Sequence, residues 1–315
     1  MCSMKVMVTT KYGPPEVLQI EEREKPIPED NQVLIKIHTT TVSVGDVKMR
    51  SLDVPGPQKV LGRLFLGITK PRKDILGMEI AGEVVEVGAD VTKYKKSNRV
   101  YASTFWEGLG GYAEFKCMNE DGMLAKIPDG VTYEEVVPLL GGGVTAAKVL
   151  KKGDIQPGMK VLIYGASGNV GSYAVQIAKY FGAEVTGICS TKNLEWVKDL
   201  GCDKVIDYTT TDFTQTGEKY DVVFDAVGKI PPSQRELSLN ESGIYLNVDK
   251  DSGSGVGKSK DHIEYLVLLK ELLDAGKIKS FIDRTYTFDE IPEAHRYVET
   301  GRKRGSVVVK IIENN

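Results

Sequence analysis

A short glycine-containing stretch, YGASGNVG at residues 164–171, has the residue types and spacing that hold a phosphate. It follows the apolar run KVLI (160–163) and precedes a helical pattern. In the spacing Ala166-x-Gly168-x-x-Gly171, the first small residue permits a tight turn, Gly168 lets the backbone approach a pyrophosphate, and Gly171 lets helix and strand pack closely. The phosphates would then lie at the N-terminus of the helix, where backbone N–H groups are unpaired.

A glycine pattern of this kind is weak evidence alone, because strand–helix turns also use glycine for packing. Here apolar residues recur at helical spacing from Val170 to Phe181. Further strands then alternate with helices in GAEVTGIC (182–189), DKVIDY (203–208) and YDVVFDAVG (220–228). This alternation predicts a parallel sheet covered on both faces. We therefore predict a dinucleotide site formed by Ala166, Ser167, Gly168, Asn169, Val170 and Gly171.

The end of the second strand indicates which dinucleotide is preferred. NAD-selective sites usually place Asp or Glu there, about 20 residues beyond the glycine loop, to bind the ribose hydroxyls. This chain has CSTKN at 189–193, without a carboxylate. Ser190, Thr191 and Lys192 can instead donate charge-assisted hydrogen bonds to the additional phosphate of NADP, which favours NADPH. The alternative is that Ser190 and Thr191 cap the following helix and that Lys192 is solvated.

The composition restricts the class of protein. The chain has 315 residues, 41% hydrophobic and 27% charged, with a net charge of −3, which is typical of a soluble enzyme of about two domains. We expect no nucleic-acid partner, because there is no basic surplus, and no membrane span or signal peptide. We expect a cytoplasmic location, because no CxxC pair is formed by Cys2, Cys117, Cys189 and Cys202. None of the histidines (His38, His262 and His295) has a recognisable partner.

The chain divides into a β-rich part and a part with strand–helix alternation. VLIKIHTTTVSV (33–44) and EIAGEVVEVG (79–88) are β-branched runs typical of strands, whereas 59–76 has no clear pattern. A helical segment, 262–277, closes the alternating part, and the tail ends on the strand SVVVKII (306–312). We predict a substrate domain over 1–125 and 280–315, and a dinucleotide-binding domain over 126–279.

In this order the blocks resemble the medium-chain dehydrogenase/reductase superfamily and, within it, quinone oxidoreductases of the zeta-crystallin type. The matching blocks are KYGPPEVLQI (11–20), LGMEIAGEVVEVG (76–88), GGYAEF (110–115), GGGVTAAKVL (141–150) and VFDAVG (223–228). The resemblance implies an α/β fold: a Rossmann doubly wound parallel sheet plus a GroES-like β-rich domain, with substrate in the cleft between them. It also implies further cofactor-binding residues: Thr145 near the nicotinamide, Tyr208 lining the pocket for the additional phosphate, and Val227. Thr145 is equally explained as a helix cap.

Zinc enzymes of this superfamily hold a catalytic metal with a Cys, a His and a further Cys or acidic group. By the resemblance, Ser43 stands at the first position and Met78 replaces the His. Since zinc needs convergent donors, we expect no metal. Without a Lewis acid, alkoxide charge on a simple ketone is poorly stabilised. Hydride transfer to a quinone or an α,β-unsaturated carbonyl (enone) is therefore favoured.

SVGDVKMR (43–50) supplies the catalytic candidates, where relatives carry an Asn-x-x-Asp motif. Ser43 replaces the Asn, Asp46 matches, and Lys48 is placed to bond the developing enolate. Alternatively, Asp46 caps a helix and Lys48 is solvated. Tyr112 fits packing better than a role as an acid. Two other functions stay open: a zinc-free alcohol dehydrogenase or aldehyde reductase, and a non-catalytic NADPH-binding protein.

We expect a homodimer in which one edge strand at the subunit contact is shortened. Relatives carry a long segment after the strand that matches GIYLNV (243–248), including a further strand that joins two subunits. Here only DKDSGSGVGKS (249–259) separates that strand from the helical segment.

Overall fold

The structure is a computed structural model that describes residues 3–53, 63, 67–252 and 263–312. Its contacts divide the chain into two units. The first unit contains the described residues up to Gly141, Ile263 and those from Ile282 onward, and the second contains those of Gly142–Gly257 and Glu264–Phe281. Cys2, His262 and much of 249–259 lie outside the described residues.

The first unit is built mainly from antiparallel strands. A two-stranded sheet pairs β1 (Ser3–Thr9) with β2 (Leu18–Glu24). A larger sheet contains β3 (Gln32–Thr41), β4 (Glu79–Val87), β5 (Arg99–Ser103), β6 (Phe115–Asn119), β7 (Leu124–Lys126), β13 (Ile282–Thr287) and β14 (Ser306–Lys310). Their order is β13-β14-β3-β4-β5-β7, and β6 also pairs with β3.

Apolar residues of β3 form the core of this unit together with the C-terminal tail. Val33, Ile35 and Ile37 are fully buried and belong to one cluster with Val307 and Val309. Because β14 pairs antiparallel with β3, the tail completes the sheet that the N-terminal part begins.

Helices flank the larger sheet at α1 (Val44–Ser51), α2 (Tyr133–Val136) and α9 (Ile291–Glu299). α1 contacts α9, and α2 contacts β3 and β4. These contacts of α2 explain why the first unit extends to Gly141, whereas the sequence analysis drew its boundary after residue 125.

The second unit contains a five-stranded parallel sheet. Its strands are β8 (Lys160–Tyr164), β9 (Glu184–Cys189), β10 (Lys204–Asp207), β11 (Tyr220–Asp225) and β12 (Leu239–Asn247), in the order β10-β9-β8-β11-β12. Its helices are α3 (Gly142–Lys151), α4 (Asn169–Tyr180), α5 (Leu194–Asp199), α6 (Pro232–Ser238), α7 (Val248–Asp251) and α8 (Ile263–Asp274). No helix among the described residues is both long and apolar enough to span a membrane.

The strand order reverses at β8, which has β9 on one side and β11 on the other. In open α/β sheets, ligands bind beyond the carboxyl ends of the strands at such a reversal. The register pairs Tyr164 with Ile188 and Asp225, and Asp207 with Cys189. The segments that follow these four strands therefore leave the sheet at one common edge.

Candidate functional site

The turn between β8 and α4 is made by Gly165. Its φ is 83°, and a Cβ there would lie 2.2 Å from Cγ2 of Val227. The turn predicted at Ala166 therefore begins one residue earlier, and Ala166 is fully buried. The backbone N–H groups of Gly165 and Ala166 both donate to the carbonyl of Ile188, at 3.0 Å each. Glycine is required at 165 because the left-handed conformation and the adjacent valine both exclude a side chain.

The two later glycines of the loop differ in what the protein requires of them. A Cβ on Gly171 would lie 2.2 Å from the carbonyl oxygen of Gly165, so close packing of helix and strand demands glycine there. Gly168, the N-cap of α4, has φ −82° and ψ 172°, which any residue can adopt. A Cβ on it would meet only the carbonyl oxygen of Gly165, at 3.4 Å. The described residues therefore leave open space beside Gly168, which agrees with the predicted approach of a pyrophosphate.

Asn193 links the glycine loop to the end of β9. Its amide Nδ2 donates to Oγ of Ser167 at 3.0 Å and to Oγ of Ser190 at 3.2 Å. Asn193 is 5% exposed. Because each serine oxygen accepts from Asn193, each hydroxyl proton is left available to a ligand. The motif CSTKN (189–193) contains Asn193, but the sequence alone predicts no role for it.

Ser190 and Thr191 do not act as side-chain helix caps. Ser190 begins the 3₁₀ turn Thr191–Asn193, but its side chain makes no capping hydrogen bond. The Thr191 hydroxyl donates to Oδ2 of Asp207 at 2.6 Å and lies 3.0 Å from Oγ1 of Thr209. Lys192 is exposed, and within the described part of the chain its ammonium has no ion-pair partner.

The remaining predicted cofactor residues lie on neighbouring segments of the second unit. Tyr208 follows β10, is 55% exposed and has its ring 6.5 Å from that of Tyr164. Val227 follows β11 and is also exposed. Asn169 and Val170 open α4, and Asn169 contacts the start of α3 at Gly142. Thr145 lies inside α3 rather than ahead of it, so the helix-cap alternative has no support.

The loop that carries Val227 is held by the buried carboxylate of Asp225. Asp225 accepts from the backbone N–H of Val227 at 3.1 Å, of Gly228 at 2.7 Å and of Ile230 at 2.7 Å. The hydroxyl of Tyr245 donates to it at 2.9 Å. Asp225 thereby fixes the position of Val227 beside Gly165.

In the first unit, Ser43 and Asp46 form a capping box at the start of α1. Oδ2 of Asp46 accepts from the backbone N–H of Ser43 at 2.9 Å and from its hydroxyl at 2.6 Å. Burial raises the pKa of Asp46 to about 6, against the lowering effect of these hydrogen bonds. The geometry therefore agrees with the alternative in which Asp46 takes part in capping the helix. Lys48, on the same helix, is exposed.

The two positions compared with zinc ligands lie together against Gly45. A Cβ on Gly45 would be 3.3 Å from Oγ of Ser43 and 3.1 Å from Sδ of Met78. A neutral hydroxyl and a thioether are not the thiolate, imidazole or carboxylate donors that zinc takes. Among the described residues, no group of three or more His, Cys, Asp or Glu is placed to hold a metal ion.

Glu79 is a buried carboxyl group that the sequence analysis passed over, although it follows Met78 directly. It is 5% exposed, and its Oε2 accepts from the Thr41 hydroxyl at 2.7 Å. Burial raises the pKa of Glu79 to about 8, and the neighbouring Asp46 raises it further, whereas Lys303 lowers it. Burial in turn lowers the pKa of Lys303 to about 8. The available signal is an acidic residue that opens the β-branched run EIAGEVVEVG (79–88), directly after the position compared with a zinc-ligating His.

Tyr112 forms a buried pair with His295. Its hydroxyl lies 3.0 Å from Nε2 of His295, and both residues are fully buried. Burial lowers the pKa of His295 to about 3, and the positive charge of Arg50 acts in the same direction. A neutral, buried pair of this kind agrees with a packing role for Tyr112. It also shows the partner of His295, which the sequence did not reveal.

Two family models match the chain: an alcohol dehydrogenase GroES-like domain over residues 29–129 and a zinc-binding dehydrogenase over residues 200–309. A 2-methylene-furan-3-one reductase of Solanum lycopersicum is 32% identical, covering 97% of this chain and 79% of that protein. A chloroplastic NADPH-dependent alkenal/one oxidoreductase of Arabidopsis thaliana is 30% identical, with the same shares of 97% and 79%. A solved quinone oxidoreductase from Coxiella burnetii has a TM-score of 0.84 and 28% identity, covering 99% of this chain and 100% of that one.

The chain belongs to the quinone oxidoreductase-like family of medium-chain dehydrogenases/reductases. This confirms the predicted family. The GroES-like match and the parallel sheet confirm the predicted fold class. As a member of this family, the chain is an oxidoreductase that uses a nicotinamide cofactor. The open space at Gly168, the N-terminus of α4 and the hydroxyls of Ser167 and Ser190 fit such a dinucleotide.

The two loop glycines of this family member should respond differently to the same substitution. Gly168→Ser keeps a good helix N-cap and should leave the melting temperature unchanged. Its side chain would occupy the space predicted for the pyrophosphate. Cofactor binding should therefore weaken about tenfold, which corresponds to the loss of about one hydrogen bond to a charged group. Gly171→Ser must displace the Gly165 carbonyl and should destabilise the fold by about 2 kcal/mol. Thermal melts and nucleotide titrations of both variants measure this. Equal losses of stability would show that Gly168 serves packing.

The buried carboxyl of Glu79 should make stability depend on pH. Its folded pKa of about 8 exceeds its ordinary 4.5, so its contribution is present below pH 4.5 and is lost as the pH rises through 8. Glu79→Gln cannot ionise and keeps an acceptor for Thr41. The variant's melting temperature should therefore gain on the wild type by about 3 °C or more between pH 6 and pH 9.

Glu83→Gln, a partly exposed position on the same strand, is the matched control. Its difference from the wild type should be the same at both pH values. A gain for Glu79→Gln that does not increase with pH would show that burial does not keep this carboxyl protonated.

Proposed function

We propose that this protein transfers hydride from NADPH to a quinone or an α,β-unsaturated carbonyl compound without a metal ion. The observation that carries the proposal is the pairing of Ser43 and Met78 at Gly45, where the donors are unsuited to zinc. The zinc-binding dehydrogenase match covers residues 200–309 and so includes neither residue. The relatives named above, an alkenal/one oxidoreductase, a furanone reductase and a quinone oxidoreductase, support this substrate class.

A conjugated acceptor suits a site without a Lewis acid. When bound, the cofactor supplies the hydride, and the protein orients the acceptor and manages the proton. Addition at the far carbon spreads negative charge onto oxygen, so a hydrogen-bond donor suffices where a simple ketone needs stronger stabilisation.

Ser43 and Asp46 are the proposed proton-bearing pair. Asp46 is fully buried and reaches its surroundings through the Ser43 hydroxyl, which is 2.6 Å away and partly exposed. With a pKa of about 6, Asp46 exchanges its proton nearer to neutral pH than an ordinary Asp. Lys48 is proposed to bond the developing enolate, because its ammonium is exposed on the same helix.

The substrate class is tested by following NADPH oxidation with an enone, a quinone and a simple aldehyde. We expect turnover with the first two, slow or absent turnover with the aldehyde, and no change after prolonged chelation. Equal rates with the aldehyde would favour an alcohol dehydrogenase or aldehyde reductase. Binding without any oxidation would favour a non-catalytic NADPH-binding protein. Stoichiometric zinc whose removal abolishes activity would contradict the metal-free proposal.

We further propose that the cofactor is NADPH rather than NADH. The support is a cluster of donors after β9: the Ser190 hydroxyl, which is not used in capping, and the exposed ammonium of Lys192. Tyr208 follows the neighbouring strand, its side chain is exposed, and its backbone N–H donates to the carbonyl of Cys189, the residue before Ser190, at 3.1 Å. The additional phosphate of NADP is the group that such donors recognise.

Removing one ammonium should therefore separate the two cofactors. Lys192→Ala should weaken NADPH binding about tenfold or more, since a hydrogen bond to a charged group contributes about 1.5–3 kcal/mol. NADH binding should scarcely change. Lys198→Ala, also an exposed lysine of this region, is the control for loss of charge and should affect neither. Equal losses for both cofactors, or equal wild-type affinities, would contradict the NADPH proposal.

We also propose a homodimer and a cytoplasmic location. Within the described residues, β12 is an edge strand that pairs only with β11, and an edge of this kind can pair with a second copy. Light scattering at micromolar concentration should give twice the chain mass, and a monomer mass would contradict the dimer. A tagged full-length protein found only in an organelle would contradict the location.

A further inference from the structure

Asp207, the last residue of β10, brings a carboxylate to the segment proposed to bind the additional phosphate of NADP. Its Cα partner in the sheet is Cys189, the residue before Ser190. Its Oδ2 accepts the Thr191 hydroxyl at 2.6 Å. β9 ends without an acidic residue, but β10 supplies the carboxylate of Asp207, which is hydrogen-bonded to Thr191.

The carboxylate is held in its charged form by hydroxyl and amide donors. Hydrogen bonds from the hydroxyls of Thr191 and Thr209 lower the pKa of Asp207. Oδ1 accepts from the Thr209 backbone N–H at 2.9 Å and from its hydroxyl at 2.7 Å. Across the described ranges, no Lys or Arg side chain forms an ion pair with Asp207, so its negative charge is not neutralised locally.

The same contact determines what Thr191 can offer a ligand. A threonine hydroxyl has one proton to donate, and here that proton is directed to Asp207. Thr191 therefore presents no donor to a phosphate in this arrangement. The sequence predicts Thr191 to be such a donor, whereas its hydroxyl here donates to Asp207.

We infer that Asp207 is a specificity-determining residue that limits the affinity of this site for NADPH relative to NADH. It repels the additional phosphate and withdraws the Thr191 hydroxyl from it. The inference rests on the proposed NADPH site and adds an opposing group to it: Lys192 and Ser190 attract the phosphate, and Asp207 sets the limit. The site is thereby less selective for NADPH than the sequence of the second strand alone indicates.

The test is Asp207→Asn, with Asp212→Asn as a closely matched control. Asp212 accepts from the backbone N–H of Thr214 at 3.0 Å and from its hydroxyl at 2.8 Å, which is the turn geometry that Asp207 has with Thr209. Asp212 therefore shares the charge and the turn. The two carboxylates differ in the contact of Asp207 with Thr191. An Asn can keep the turn in both places through its amide oxygen.

Dissociation constants of NADPH and NADH are measured by titration for the wild type and both variants. Asp207→Asn should bind NADPH about five- to tenfold more tightly at low salt, with NADH changed less than about twofold. Asp212→Asn should leave both constants unchanged. The gain should decrease in high salt, because screening weakens repulsion between partly exposed charges, whereas a purely structural effect would not depend on salt.

A variant of Thr191 isolates the contribution of its hydroxyl. Thr191→Val should leave NADPH affinity nearly unchanged in the wild-type background, because the hydroxyl is already committed to Asp207. In the Asp207→Asn background it should remove part of the gain, which is the coupling that a double-mutant cycle measures.

The possible failures can be told apart. If the wild type binds both nucleotides and Asp207→Asn gives the same ratio of affinities as Asp212→Asn, the inference about Asp207 is overturned and the cofactor site stands. Weaker NADH binding in Asp207→Asn would also overturn it, because Asp207 would then be a ribose ligand. If the wild type binds neither nucleotide, the proposed function itself fails, and the inference fails with it.

Discussion

One backbone interaction sets the position of the cofactor site: the carbonyl of Ile188 in β9 accepts from the N–H groups of both Gly165 and Ala166. This double contact fixes the exit of the chain from β8, which the left-handed conformation of Gly165 makes possible. The start of α4, and with it Gly168, is placed relative to the end of β9 by this turn. The loop after β11 meets the same turn, because Val227 lies against Gly165.

The carboxyl groups of Asp46 and Glu79 in the first unit and of Asp207 in the second have pKa values shifted in opposite directions. In the second unit the proposed cofactor-binding side chains of Ser190 and Lys192 are partly or fully exposed, and hydrogen bonds from hydroxyls lower the pKa of Asp207. In the first unit Asp46 and Glu79 are buried, and desolvation raises the pKa of each. Burial of a carboxyl group costs stability once it ionises. A group retained at such a cost is a functional candidate, since perturbed pKa values cluster at functional sites.

Patterns within single stretches of the sequence predicted the parts of the site that one stretch of chain forms by itself. The strand–loop–helix of the glycine loop follows from periodicity and spacing within one stretch, and the parallel sheet follows from repetition of that pattern. The bond between Thr191 and Asp207 joins the turn after β9 to the end of β10, and the bridge from Asn193 to Ser167 joins that turn to the glycine loop. Register decides such contacts, and no spacing within one segment reveals them. The turn predicted at Ala166 begins one residue earlier, because the strand ends at Tyr164 and Gly165 takes the left-handed conformation.

The central claim is that a nicotinamide dinucleotide binds along the common edge formed after β8 and β9. Hydrogen exchange of the intact protein, with and without saturating NADPH, tests it most directly, because bound nucleotide slows opening of the backbone that it contacts. The account predicts slower exchange in 165–171 and 189–193, with peptides from β1 and β2 unchanged. Protection confined to other segments, or exchange that NADPH does not alter, would contradict it.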